Sequence, residues 1–121
     1  FAITQMIYNA ESYDRFLKGC KSEGIEIPII PGLRILTQSS TAERMISKFG
    51  CSVPAETIER LKQAEQISKI KAKEVGIELS YSLCRQLIEC GAPGIHLFIM
   101  NDENSGAELL LKLKNEFRKN S

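Results

Sequence analysis

Phe1-Ala2-Ile3-Thr4-Gln5-Met6-Ile7-Tyr8-Asn9 is a short apolar run that ends in polar residues. Pro28-Ile29-Ile30-Pro31-Gly32 and Gly94-Ile95-His96-Leu97-Phe98 share its form. Stretches with helical patterning fill the intervals between the three. Strands alternating with helices predict a parallel α/β sheet, and in such sheets ligands meet the chain at the C-terminal ends of the strands. Gln5 stands near such an end, inside a run (residues 2–8) expected to be buried on both faces. A buried amide must find partners or bind something, so the first strand already points to a site.

The totals narrow the classes. A chain of 121 residues fits one domain with a real core. With 43% hydrophobic and 26% charged residues the composition argues against disorder and a disulfide scaffold. A net charge of +1 gives no electrostatic footprint for nucleic acid or anionic lipid. Lys112, Lys114, Arg118 and Lys119 read as the solvated end of a last helix, where cations favour the dipole. No apolar run approaches the ~20 residues of a membrane span, and no signal peptide is visible. Cys20, Cys51, Cys84 and Cys90 form no CxxC pair, and His96 has no ligand-like spacing to them, which argues against zinc. They read as reduced, mostly buried thiols of a cytoplasmic protein. Phe1 opens directly inside a strand expected to be buried, which suggests a piece of something longer.

Along the chain, Asn9 or Ser12 caps a helix running to about residue 23, with Tyr13, Phe16, Leu17 and Cys20 as its apolar stripe and Gly24 as its stop. Residues 25–30 read as the second strand, made irregular by Pro28, and Pro31-Gly32 as the turn that follows. Residues 33–62 carry two short helices, one over about 42–49 stopped by Gly50 and one opened by Ser52-Val53-Pro54. They read as an elaborated loop over the active-site face. A long helical segment spans residues 63–90, with Ile67, Ile70, Glu74, Ile77, Tyr81, Cys84 and Ile88 on one stripe. Gly76 inside it implies a kink or a close contact, since Gly costs roughly 1 kcal/mol against Ala in a helix. Residues 95–100 form the third strand, and a final helix from Ser105 buries Leu109, Leu110, Leu113 and Phe117. The order β-α-β-(αα)α-β-α makes a poor independent sheet but a natural set of three of the eight units of a (β/α)8 barrel.

Several residues could carry chemistry. Gln5 offers a donor and an acceptor at the mouth of a strand, suited to a heteroaromatic ring that presents both. Asn101 and Asp102 end the third strand in a comparable place, where they could equally cap the last helix. His96 shares its strand face with Phe98, an arrangement that suits a cofactor-facing wall or simple packing. Glu74 and Glu78, four apart on a helix, read as a solvated face. No Walker loop, GxGxxG turn, catalytic triad or metal cluster is present in the sequence.

A wider set of residues carries a resemblance. Phe1-x-Ile3-Thr4-Gln5 is followed by Tyr13-x-x-Phe16-x-x-x-Cys20-x-x-x-Gly24-Ile25 and Pro28-Ile29-Ile30-Pro31-Gly32. Then come Gly76-Ile77-Glu78 and Gly91-x-Pro93-Gly94-x-His96-x-Phe98-x-x-Asn101. In this order and spacing the chain resembles methylenetetrahydrofolate reductase over almost its whole length, matching the C-terminal part of the catalytic barrel, strands six to eight. The resemblance implies FAD as cofactor, NADH or NADPH as hydride donor, a folate substrate, a cytoplasmic homo-oligomer, and no membrane or nucleic-acid partner. It implies substrate binding by Gln5, which matches the glutamine that contacts the pterin and the nicotinamide. Phe98 stands where the family has a Tyr, keeping the ring without the hydroxyl, and His96 is the candidate cofactor contact. Thr41 and Met45 stand where some members place a Gln and a Phe against the substrate, with Gln38 a substitute amide. Asp102 replaces the Arg that reaches the folate tail and so reverses the charge there; Arg34 or Lys48 would supply a substitute cation. The family's acid catalyst and most FAD-binding residues belong to strands one to five, so no catalytic residue falls in this segment and the piece alone should be inert. Two other readings stay open: a non-catalytic partial-barrel module that self-associates, and another flavin or pterin TIM-barrel enzyme.

Overall fold

The computed structural model describes residues 1–98 and 103–119. Among the described residues the elements are β1 (Ala2–Met6), α1 (Ala10–Ser22), β2 (Ile29–Leu33), α2 (Ser39–Phe49), α3 (Ala55–Ile67), α4 (Lys69–Glu89), β3 (His96–Leu97) and α5 (Glu103–Lys119). The strands make one sheet in the order β1-β2-β3, parallel throughout. Consecutive parallel neighbours joined by helices are what the alternating sequence pattern predicts. The expected third strand over residues 95–100 is described only in part, because positions 99–102 lie outside the described residues, as does the Phe117 side chain.

β1 departs from its expected burial. Its residues alternate between half-buried and exposed, with Phe1 82% and Ile3 42% exposed and Gln5 on the same open side. β1 is an edge strand, and Phe1, Ile3 and Gln5 stand exposed along it. The buried-amide argument for Gln5 therefore does not hold in this segment; its place at the strand end does.

β2 starts later than expected and takes in Pro31-Gly32, which the sequence assigns to a turn. The reason lies in β1. Ala2 pairs with Ile29 and Ile3 with Ile30, but the register then slips so that Met6 faces Gly32. Pro31 has no N–H to give to the ladder. The Gly32 N–H donates instead to the Thr4 hydroxyl oxygen at 3.0 Å, and that hydroxyl donates to the Gln5 carbonyl at 2.7 Å. The ladder closes again where the Ile7 N–H donates to the Gly32 carbonyl at 2.8 Å. A threonine side chain thus takes the hydrogen bond that the strand backbone cannot, and the irregularity sits at Pro31 rather than at Pro28.

Asn9 caps α1 as expected, its side chain accepting the Glu11 N–H at 2.8 Å. Tyr13 is fully buried and its hydroxyl donates to the Ile29 carbonyl at 2.7 Å, tying α1 to β2. Phe16, expected on the buried stripe, lies at its outer border and is 52% exposed. α2 begins three residues before the expected 42, because Glu65 of α3 accepts from both the Ser39 N–H and the Ser39 hydroxyl. Residues 55–67 form one helix that ends at Ser68, so the break in the long helical segment comes later than the expected 62/63 boundary. Ser68 caps α4 by accepting the Lys71 N–H at 2.9 Å. Ile67 and Ile70 flank this break and are 72% and 74% exposed, off the buried face of Ala72, Gly76, Ile77, Ser80, Leu83, Cys84 and Leu87. Gly76 makes a close contact rather than a kink: a Cβ there would lie 2.0 Å from the Leu36 carbonyl oxygen. α5 opens at Glu103, two residues earlier than expected, and buries Leu109 and Leu113 while Leu110 stays 52% exposed.

The core gathers Tyr8, Tyr13, Leu33, Leu36, Met45, Leu61, Cys84, Leu87 and Leu109 between the sheet and the helices. Burial pushes the Cys84 thiol from its ordinary 9.0 up to about 12. In the unfolded chain this thiol ionises near its ordinary value, whereas in the folded chain it stays neutral. Its contribution to stability is complete below about pH 9 and is lost as pH rises toward 12. The denaturant midpoint should therefore fall between pH 8 and pH 10, on the order of 1 kcal/mol per pH unit above 9. A midpoint that holds or rises over that range contradicts this.

Candidate functional site

Parallel sheets present their binding sites where the strands end. At that end Gln5 and Met6 of β1 meet Phe98, which follows β3, and Phe49 and Cys51, which flank Gly50 after α2. Together they line a cavity of ≈ 220 Å³. Two residues chosen from sequence, Gln5 and Phe98, are brought together although 93 positions separate them.

Each wall has a local cause. The Phe98 N–H donates to the Leu33 carbonyl at 2.8 Å, extending the β2–β3 ladder by one bond and fixing where the ring leaves the sheet. That ring lies against Gly32, where a Cβ would come within 2.6 Å of Phe98 Cε2 and 2.8 Å of the Thr4 carbonyl oxygen. The Pro-Gly pair is thus a seat for an aromatic ring, not a turn. His96 meets Phe98 edge-on, ring centroids 4.5 Å apart at 74°. It is half-buried and is not among the cavity's lining residues, so its direct contact is with Phe98. A Gly32→Ala variant is expected to displace the Phe98 ring and weaken any ligand of this cavity several-fold. The cavity-wall shift can be read from ligand titration, and unchanged affinity would show that the ring is not needed there.

Met45 sits elsewhere. It is 2% exposed within the core, and its carbonyl accepts the Cys51 N–H at 3.2 Å. The side chain packs in the core under α2 and is not among the described residues that line the cavity. Asp102 and Asn101 lie outside the described residues. Sequence reasoning missed Phe49, Cys51 and Met6. The signal available was Gly50: it takes a left-handed conformation (φ 66°) at the end of α2, and the turn it makes brings the flanking side chains back toward β1.

Among the described residues the cavity lining is mainly apolar, with one amide, that of Gln5, at its border. Burial pushes the Cys51 thiol above its ordinary range, keeping it neutral. Such a lining suits a flat heteroaromatic ring with donors and acceptors on its border. A second cavity of ≈ 350 Å³ lies between the start of α1, the start of α3 and the middle of α4, lined by Tyr8, Arg60, Gly76 and Ser80 among others. Among the described residues no three His, Cys, Asp or Glu side chains gather as a metal site, and no helix is long and apolar enough to cross a membrane.

Known proteins are similar to this chain. The family model for methylenetetrahydrofolate reductase matches residues 1–114. A Caenorhabditis elegans protein named as a probable methylenetetrahydrofolate reductase (NADPH) is 32% identical over 114 residues, covering 93% of this chain and 17% of that protein. A rice (Oryza sativa subsp. japonica) protein named as a probable methylenetetrahydrofolate reductase (NADH) is 29% identical over 92% of this chain and 18% of its own. The Escherichia coli 5,10-methylenetetrahydrofolate reductase is 27% identical over 83% of this chain and 33% of its own. The chain thus spans 17% to 33% of the length of these relatives. A solved structure from Clostridium thermocellum shares the fold, with a TM-score of 0.56 and 24% identity over 93% of this chain and 42% of that one. It is described as an uncharacterized protein that binds two copies of 5-methyl-5,6,7,8-tetrahydrofolic acid. With almost its full length matched by the family model, the chain belongs to the methylenetetrahydrofolate reductase family.

Proposed function

We propose that this chain forms the last three β/α units, strands six to eight, of a (β/α)8 barrel in a flavin-dependent methylenetetrahydrofolate reductase. Its residues bind the ring of the folate substrate. The observation that carries this reading is the meeting of Gln5 and Phe98 in one cavity at the strand ends. A glutamine amide donates and accepts at once, as a pterin edge does, and Phe98 gives that ring an aromatic face to lie against. The Clostridium thermocellum structure, whose description names a methylated tetrahydrofolate, supports a folate ligand for this fold. Relatives named for NADPH and for NADH leave both nucleotides as donors.

FAD would supply hydride relay between the nicotinamide and the folate carbon when bound. A cavity of ≈ 220 Å³ with no cationic side chain among the described residues of its lining does not fit a dinucleotide. The reading accordingly assigns FAD, and the acid catalyst, to the barrel units that would precede β1. Within this chain Gln5 orients the substrate ring and Phe98 packs on it, with His96 bracing Phe98 from its edge. Reduction of 5,10-methylenetetrahydrofolate to 5-methyltetrahydrofolate is then the activity of the longer cytoplasmic protein, acting as a homo-oligomer.

The longer protein should copurify with flavin and oxidise NADH or NADPH only slowly until 5,10-methylenetetrahydrofolate is added. A colourless protein that ignores the folate would overturn the reading. The 121-residue chain alone should show no such turnover. It should also associate, because the side of β1 with Phe1 and Ile3 lies open. Sedimentation would reveal oligomers; a sharp monomer with a cooperative melt would contradict that expectation.

A further inference from the structure

The register slip in β1 lies beside the cavity. From Ile3 opposite Ile30 to Met6 opposite Gly32, β1 advances three residues while β2 advances two. Thr4 and Gln5 therefore oppose Pro31 together, which is the arrangement of a β-bulge. In an unbroken register Gln5 would stand opposite Gly32. Here Met6 takes that place, and Gln5 lies one residue before it. Bulges re-aim side chains, and this one carries Gln5, which lines the cavity.

One hydroxyl holds the bulge. Pro31 has no N–H for the ladder, and the Thr4 hydroxyl accepts the Gly32 N–H at 3.0 Å while donating to the Gln5 carbonyl at 2.7 Å. Both partners are main-chain groups. One belongs to Gln5 itself, and the other to the glycine against which the Phe98 ring lies. A single side chain thus ties the residue that carries the amide to the seat of the ring. Thr4 itself is not among the described residues that line the cavity. We propose that Thr4 is a positioning residue: its hydroxyl holds the bulge that sets where the Gln5 amide stands relative to Phe98, and it acts on the ligand through Gln5. This rests on the folate reading and adds to it a side chain that serves the backbone rather than the ligand. Valine has the same branched shape but offers neither donor nor acceptor, so it cannot take this role; serine can.

The test is direct binding of 5-methyltetrahydrofolate to the full-length flavin-loaded protein by calorimetry, which needs no turnover. Thr4→Val is expected to raise Kd by about tenfold, and Thr4→Ser to stay within about twofold of wild type. Added to Gln5→Leu, Thr4→Val should raise Kd by less than about twofold more, because no amide is left to position. Equal weakening in both backgrounds would mark a merely structural threonine and overturn the proposal. A Thr4→Val protein that binds as well as wild type also overturns it, and leaves the folate reading standing. Should Thr4→Val fail to fold, Thr4→Cys, whose thiol is a weak donor and a weak acceptor, enters the same comparison with Gln5→Leu. It is expected to raise Kd several-fold in the wild-type background alone, and unchanged binding there overturns the proposal. A wild-type protein that does not bind 5-methyltetrahydrofolate at all overturns the folate reading, and the positioning role with it.

Discussion

Replacing Gln5 by Leu in the full-length protein is expected to lower kcat/KM for 5,10-methylenetetrahydrofolate by roughly 100-fold. Leu fills nearly the same space, so the loss comes from chemistry rather than from shape. A substrate ring that settles against Phe98 leaves water behind, and its polar border then faces a methyl group. Each polar group left unmet costs about 1–3 kcal/mol, and a glutamine can satisfy one donor and one acceptor. Two such terms of modest size give the stated factor. Any effect on stability is read separately, since Gln5 lies near the end of β1, outside the core cluster. Steady-state kinetics with a melting curve on the same sample separate the two effects. A loss under about threefold would mean that the amide does not read the substrate.

Gly76→Ala should have the largest effect on stability. Two forces oppose one another at this position. Alanine is the better helix former by about 1 kcal/mol, which favours the variant in the middle of α4. Against that, its Cβ would sit 2.0 Å from the Leu36 carbonyl oxygen, 2.9 Å from the Leu36 carbonyl carbon and 3.1 Å from Thr37 Cα. All three are backbone atoms, so no side chain can rotate away. Either α4 shifts outward or the segment after β2 moves, and both also disturb the packing of Leu36 and Ile77. Overpacking of this kind costs typically 1–3 kcal/mol and occasionally more. The clash wins, and a net loss of about 2 kcal/mol or more is expected. Since the segment after β2 leads into α2, which ends at Phe49, ligand affinity should fall along with stability. Thermal melting of the full-length variant reads the first effect. An unchanged or raised melting temperature would show that α4 and the β2–α2 segment are farther apart than described.

Much of the architecture was legible from punctuation. Asn9 and Gly24 bounded α1, Gly50 ended α2, and the apolar runs marked three strands in their correct order. Boundaries failed where a side chain took over a backbone role. Pro31-Gly32 reads as a turn in one dimension, yet the Thr4 hydroxyl accepts the Gly32 N–H and keeps both residues in the strand. Ser39 and Ser40 read as loop, yet Glu65 supplies the partner that starts α2 there. These bonds join residues more than twenty positions apart, and no local pattern reports them.

The site was half legible for a related reason. Gln5 stood out because it lies near a strand end, and Phe98 because it shares a strand face with His96 and matches a ring position of the family pattern. Phe49 ends α2 and Cys51 follows the Gly50 turn, so their place depends on how α2 docks, which periodicity does not carry. Met45, which the family pattern sets against substrate, packs in the core of this segment, an environment that a pattern of residue types does not report.

Binding of the folate ring by this segment is tested most directly by following flavin absorbance in the full-length protein without oxygen. A yellow protein that bleaches with NADH or NADPH and regains its colour on adding 5,10-methylenetetrahydrofolate is the expected result. Recovery of colour should be strongly slowed by Gln5→Leu. A protein that bleaches but never recovers with the folate, or that recovers at the same rate without Gln5, would contradict the claim that this segment binds the folate ring.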